Sequence, residues 1–122
     1  MYLYSFEKLE VWKLAKGLCI FIYPLTGNFP ANEKFGLVSQ MRRCAISIAS
    51  NIAEGSSRIS EKDQSHFYTI AYSGAIELLN QLIISTELNF ILQEDLQNAR
   101  IKIEQITKGI SGLRKAALNP KL

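Results

Sequence analysis

The sequence has one histidine, two cysteines and three prolines among 122 residues. A single histidine, His66, cannot build a His-rich metal centre or a paired-histidine mechanism within one chain. The chain also lacks GxxxxGK(S/T), GxGxxG and GxSxG motifs, which excludes the usual phosphate-binding loops and the nucleophile elbow. We therefore predict that the protein is not an enzyme and has no catalytic residue, cofactor, metal or small-molecule substrate.

The sequence also lacks a long apolar segment and a strong charge bias. Its longest apolar runs, such as LCIFIY, are far shorter than the ~20 residues of a membrane span. Cys19 and Cys44 lie far apart without a CxxC motif, and the opening MYLYSFEKLE does not resemble a secretory leader. We therefore expect a cytoplasmic protein with two buried, reduced thiols and no membrane contact. The net charge of +3 permits an anionic partner without requiring one.

Four segments show the periodicity of helices and predict one domain, residues 1–122. We expect helices over residues 6–25, 32–55, 61–90 and 94–117. The predicted N-caps of the first three are Ser5, Asn32 and Ser60, and Gly55 is the predicted C′ residue of the second. The fourth has a heptad seam, formed by Leu96, Ile103, Ile110 and Ala117. These features predict an all-α fold, an up-down-up-down antiparallel four-helix bundle.

The second and third helices carry more apolar surface than a four-helix bundle needs to bury. On a helical wheel, the apolar arc of the second covers more than half of the circumference. The residues that widen it are Phe35, Ile46, Ala49 and Ala53. The third has a second apolar face, formed by Tyr72, Ile76, Leu79, Ile83 and Phe90. We therefore expect self-association, with an ordinary apolar surface left in solvent as the alternative.

The segment RRCAISIASNIAEGSSR, residues 42 to 58, begins with two arginines that the wheel separates. Arg43 lies on the polar side of the second helix, whereas Arg42 lies among apolar residues. A buried unpaired charge is costly, so one prediction pairs Arg42 with Glu77, within the subunit or across an interface. The alternative is a surface side chain whose charged end reaches solvent.

The end of the same segment predicts a structural polar cluster at the turn between the second and third helices. Glu54 lies in the last helical turn, where exposed carbonyl groups disfavour an unpaired carboxylate, so we expect an ion pair with Arg58. Asn51 and Gly55 complete this cluster. The functional alternative is an electropositive rim of Arg43, Arg58 and Lys62, which are the candidate nucleic-acid-binding residues. Such a rim would become a strong field if an oligomer repeated it.

Three motifs, in order along the chain, resemble a known family. SFEKLEVWKLA resembles its opening F-x-x-L-x-V-W-x-x-A, and TGNFPANEKFGLVSQMRRCAISIASNIAEGSSR resembles its hallmark FP-x-x-E…GL-x-x-Q-x-RR…NIAEG-x-x-R. HFYTIAYSGAIELLNQLIIS is similar to its F-x-x-A-x-GS-x-x-E-x-x-x-QL. The chain is thereby identified as a member of the four-helix-bundle proteins encoded in intervening sequences of bacterial 23S ribosomal RNA genes. It departs from many relatives at Ala49, where they have proline, and at Tyr72-Ser73-Gly74.

The resemblance implies a function as well as a fold. The family is similar to the accessory protein of diversity-generating retroelements, a basic, barrel-shaped homopentamer that associates with reverse transcriptase and nucleic acid. We therefore expect a non-enzymatic homo-oligomer, a pentameric ring, that is an RNA- or ribonucleoprotein-associated accessory. Its expected partners are further copies of itself and RNA or a nucleic-acid-processing protein. The alternative is a protein-interaction scaffold without nucleic-acid contact.

Overall fold

The computed structural model describes residues 1–118, which form four α-helices and no β-strand. The helices are α1 (Glu10–Thr26), α2 (Ser39–Ser57), α3 (Glu61–Glu87) and α4 (Gln93–Leu118). The predicted all-α fold with four helices is confirmed. Residues 119–122 of the predicted domain lie outside the described residues.

Every helix contributes to one set of buried apolar side chains. Consecutive helices contact one another along the chain, and α1 also contacts α4, so that the core lies between all four. The predicted seam of α4 is buried, from Leu96 through Ile103 and Ile110 to Ala117. Within residues 1–118, we find no helix whose length and apolar character would let it cross a membrane.

The predicted starts of the first two helices are wrong, because short turns of other geometry precede them. Ser5–Lys8 is a 3-10 turn in which the Glu7 carboxylate accepts a hydrogen bond from the Tyr4 N–H at 2.8 Å, and α1 begins only at Glu10. Asn32 lies in the 3-10 turn Ala31–Glu33 rather than at an N-cap. The Ser60 cap is confirmed, since its hydroxyl accepts from the Asp63 N–H at 3.1 Å.

Gly55 lies inside α2 and is not the residue that ends it. The helix continues to Ser57, and Arg58 follows in an extended conformation. Gly55 is buried, and a Cβ at this position would lie 2.6 Å from Cε1 of Tyr68 on α3. The glycine is therefore required by the close approach of two helices and not by a left-handed backbone.

Candidate nucleic-acid interface

Arg42 is half-buried where the start of α2 meets the C-terminal end of α1. Its Nε donates to Thr26 Oγ1 at 2.9 Å, and its Nη2 donates to the Tyr23 carbonyl at 3.0 Å. Its guanidinium also lies 4.7 Å from the centre of the Tyr23 ring. The predicted pairing with Glu77 within the subunit is therefore wrong. The negative end of the α1 dipole and the carbonyl groups of its last turn stabilise the cation without a carboxylate.

Glu77 lies instead beside a shallow groove between α2 and α3, near Arg43 and Cys44. The Cys44 thiol is buried and donates to the Gly74 carbonyl at 3.1 Å. Burial, together with the nearby Glu77 carboxylate, raises the pKa of the Cys44 thiol to about 12. Cys44 therefore stays a neutral thiol at physiological pH, which fits a packing role and not a nucleophile.

The turn between α2 and α3 holds most of the predicted structural polar cluster. Glu54 Oε2 lies 2.8 Å from Arg58 Nη2, which is the ion pair that the sequence predicts. The Arg58 guanidinium lies 4.6 Å from the centre of the Phe67 ring. The main-chain carbonyl of Arg58 accepts a hydrogen bond from Gln64 Nε2 at 2.8 Å. Asn51 does not join these contacts, because its Nδ2 donates to the Ser47 carbonyl within α2 at 2.8 Å.

The three candidate nucleic-acid-binding residues do not form one patch in the monomer. Arg43 lies near the start of α2, whereas Arg58 follows its end, and the intervening residues span ~21 Å along the helix. Lys62 lies in the first turn of α3, close to Arg58 in sequence. Arg43 is therefore distant from Arg58 along α2, and it lacks the ion pair that Arg58 forms with Glu54.

A wide groove of about 720 Å³ lies on the outer side of α2. Its lining includes Lys34, Arg42 and Arg43, which the sequence did not predict to lie together. We call it the α2 groove. It runs from the end of α1 along α2, and its basic end is formed by Tyr23, Lys34, Phe35, Arg42 and Arg43. Glu54 lies at the other end of the groove and already has a cation partner. The basic end therefore has an excess of positive charge that suits an anionic ligand.

Phe35 projects from this basic end and is 90% exposed. It belongs to the π-helical segment Lys34–Val38, which precedes α2 and contains the non-helical backbone of Gly36. A regular wheel places Phe35 on the apolar arc of the second helix, but a π-helical turn has more residues than an α-helical one and shifts the phase. This is why sequence analysis missed Phe35 and Lys34 as site residues. In the sequence, this site is indicated only by the adjacent cation, aromatic ring and glycine of KFG, residues 34 to 36.

The basic end can hold an anion and a flat apolar group side by side. Arg42 and Arg43 supply guanidinium donors, Lys34 supplies an ammonium group, and Phe35 supplies an exposed ring. In the part of the chain that the structure describes, no three His, Cys, Asp or Glu side chains come together as metal ligands. The arrangement is suited to binding.

Two further grooves leave apolar side chains exposed on different faces of the molecule. The α1–α2 groove is lined by Phe6, Trp12, Ile20, Ile46, Ala49 and Ala53. The α3–α4 groove includes Ile76, Leu79 and Ile101, of which Ile76 is 48% and Ile101 60% exposed. Some of the apolar width predicted for the second and third helices is thus covered by neighbouring helices, and some of it stays exposed.

Comparison with known proteins identifies the chain by its family. A family model described as 23S rRNA-intervening sequence protein matches residues 7–112. The matched region includes α1, α2, α3 and most of α4, and with them all of the α2 groove. A comparison with curated proteins found no match. The chain belongs to the 23S rRNA-intervening sequence protein family.

Proposed function

We propose that the protein is a non-enzymatic, cytoplasmic, RNA- or ribonucleoprotein-associated accessory that works as a homo-oligomer. The observation that carries this proposal is the excess positive charge of the α2 groove, where Lys34, Arg42 and Arg43 have no carboxylate partner among residues 1–118. Membership in a family whose members come from rRNA intervening sequences supports an RNA partner.

The proposed subunit is an up-down-up-down antiparallel bundle. Residues 58–60 connect α2 to α3, and residues 88–92 connect α3 to α4. Connections this short favour antiparallel neighbours. The contact between α1 and α4 supports a cyclic arrangement of the four helices.

The proposed oligomer is a pentameric ring. The α1–α2 and α3–α4 grooves are different surfaces, which supports a heterologous contact in which one subunit's groove meets the other groove of the next subunit. A closed ring buries both grooves in every subunit. The resemblance to a homopentameric accessory protein supports five subunits.

Two measurements on the purified chain test the proposal. Light scattering should give a mass about five times the 13.8 kDa of the chain, and a monomer would contradict self-association. Titration of structured RNA at several salt concentrations should show binding that weakens as salt rises. No binding at low salt, or binding indifferent to salt, would contradict the RNA partner.

The exposed apolar grooves also support a second candidate, a protein-interaction scaffold without nucleic-acid contact. The two functions differ in whether binding of the partner requires the exposed cations. Reversal of the charge at Lys34 and Arg43, two exposed cations of the α2 groove, should abolish RNA binding under the first proposal. Under the second it should leave capture of a protein partner intact.

A further inference from the structure

Phe35 is unusual because its large apolar ring is almost fully exposed to solvent. Its side chain is 90% exposed, and the Lys34 ammonium group lies over it, with Nζ 5.5 Å from the ring centre. The turn that presents it is fixed locally, since the Glu33 carboxylate accepts from the Leu37 N–H at 3.3 Å. An exposed ring on an ordered turn is a surface on which another flat group can stack.

The neighbouring arginines have donors left for a ligand. Arg42 uses two of the five N–H groups of a guanidinium on Thr26 and Tyr23, so three remain. These contacts also fix the direction of the side chain. Arg43 is exposed and forms no ion pair or hydrogen bond within residues 1–118. One arginine is thus held in place and the other is free to move.

We infer that the basic end of the α2 groove binds an unpaired nucleotide of a single-stranded RNA. The base stacks on Phe35, and the flanking phosphates are held by Arg42, Arg43 and Lys34. This inference rests on the proposed RNA association and assigns it a site and a class of RNA.

The combination of ring and cations favours unpaired RNA over a duplex. In a duplex the faces of the bases are covered by their neighbours, and the outside offers mainly phosphates and 2′-hydroxyl groups. An unpaired base exposes its face, and stacking on an aromatic side chain is a common means of binding it. The three cations alone would suit either form, so Phe35 is the residue that discriminates.

Charge also favours RNA over a second copy of the chain at this end of the groove. The chain has a net charge of +3, so a second copy is on balance repelled by a region that already has three cations. A phosphate backbone brings the opposite charge and releases its counterions on binding. The apolar grooves that we assign to self-association lack this concentration of cations.

The test compares one RNA in two forms, with the full-length protein and fluorescence anisotropy. The probes are a labelled single strand of roughly 12 nucleotides, a length within known single-strand site sizes, and the same strand annealed to its complement. Phe35→Ala should weaken binding of the single strand by at least about fivefold. It should leave binding of the duplex unchanged. Phe35→Tyr should restore the single-strand affinity because it retains the ring.

Matched controls come from the other end of α2. Ile59 is also a fully exposed large apolar residue, but it lies in the α2–α3 turn away from the basic end. Ile59→Ala should leave both affinities unchanged. Since Phe35 is exposed, Phe35→Ala should fold normally, and its mass by light scattering should equal that of the wild type.

A second measurement detects stacking directly. Trp12 is the only tryptophan, so Phe35→Trp in a Trp12→Phe background provides one fluorescent reporter at the proposed site. Single-stranded RNA should quench this reporter, and the duplex should not. Quenching should saturate at the same RNA concentration as the anisotropy.

The outcomes separate this inference from the proposed function. If the wild type binds neither RNA form, both are wrong. If the wild type binds RNA but Phe35→Ala binds the single strand equally well, only the nucleotide site is wrong. The same holds if Phe35→Ala weakens the duplex to the same extent. A lowered oligomeric mass for Phe35→Ala would also overturn the site, because it would assign the ring to a protein contact.

Discussion

Gly55 of α2 lies directly against the ring of Tyr68 on α3, and a Cβ at residue 55 would approach Cε1 of that ring to 2.6 Å. Tyr68 is itself buried, so its ring has little room to move away. The two helices therefore meet at a distance that only glycine permits. This contact lies next to the Glu54–Arg58 ion pair and fixes where the polypeptide turns from α2 into α3.

Gly55→Ala should therefore destabilise the protein by about 1–3 kcal/mol, because the added methyl group overpacks the contact with Tyr68. The matched control is Gly17→Ala in α1, where an added Cβ meets nothing within 4 Å. That variant should be more stable than the wild type by about 0.5–1 kcal/mol, since alanine is the better helix former. Denaturant unfolding measures both. If Gly55→Ala were as stable as Gly17→Ala, the close approach would be wrong.

The contacts of Arg42 predict that the two adjacent arginines differ in their contribution to stability. Arg42→Met keeps much of the aliphatic stem but loses the hydrogen bonds to Thr26 and Tyr23, and it should cost about 1–2 kcal/mol. Arg43→Met should change the free energy of unfolding by less than about 0.5 kcal/mol, because Arg43 is exposed. Equal effects in denaturant unfolding would contradict the anchoring of Arg42.

A pairing of Arg42 with Glu77 across a subunit interface makes a different prediction. In that case Glu77→Gln should lower the oligomeric mass as much as Arg42→Met does. The contacts within the subunit instead predict that Glu77→Gln leaves the mass unchanged, since Arg42 is already held by Thr26 and Tyr23. Light scattering at equal protein concentration distinguishes the two.

The regular parts of this fold could be predicted from the sequence, whereas the candidate site could not. The seam of Leu96, Ile103 and Ile110 follows from periodicity alone, because α4 is uninterrupted and its pattern repeats without a phase change. The position of Phe35 depends on a π-helical turn, and a helical wheel drawn with a constant number of residues per turn cannot represent it.

The partners of Arg42 also could not be predicted from side-chain chemistry alone. A search for a carboxylate leads to Glu77, but the acceptors are a hydroxyl and a main-chain carbonyl at the end of α1. Every helix end has such carbonyl groups, so no residue type marks them. The Glu54–Arg58 pair was predictable because the two residues are only four positions apart at the end of one helix.

The raised pKa of Cys44 predicts slow labelling and an alkaline loss of stability. The pKa of the Cys44 thiol is about 12 in the folded protein, against 9.0 for an ordinary thiol. Below pH 9 the Cys44 thiol is protonated in both the folded and the unfolded protein, and its contribution to the free energy of unfolding is fully present. Between pH 9 and about 12 only the unfolded state loses its proton, so the free energy of unfolding falls as pH rises.

Cys44→Ser should therefore show a smaller decline in the free energy of unfolding than the wild type over this alkaline range. The serine hydroxyl can still donate to the Gly74 carbonyl, so the comparison isolates the ionisation. At pH 8 a thiol reagent should label Cys44 slowly in the folded protein and rapidly in denaturant. Rapid labelling of the folded protein would contradict a thiol that is both buried and neutral.

Self-association through the α3–α4 groove predicts that one charge placed in it will reduce the oligomeric mass. Ile101 is 60% exposed and is not part of the buried core, so Ile101→Asp should fold with unchanged helical content. Desolvating the new carboxylate in an interface would be costly, and the subunits should dissociate. Ile59→Asp is the control at an exposed position outside both grooves. Light scattering should show a lower mass for Ile101→Asp only.

The salt dependence of RNA binding separates the α2 groove from the electropositive rim predicted by the sequence. Arg43→Gln removes one cation from the basic end and should reduce the slope of log affinity against log salt by about 0.7 for a single strand. Arg58→Gln should leave this slope unchanged, because Arg58 lies outside the α2 groove and its guanidinium pairs with Glu54. The rim of Arg43, Arg58 and Lys62 predicts instead that Arg58→Gln and Lys62→Gln lower the slope as much as Arg43→Gln. Equal losses in the three variants would assign binding to the rim, whereas a loss confined to Arg43→Gln would assign it to the groove.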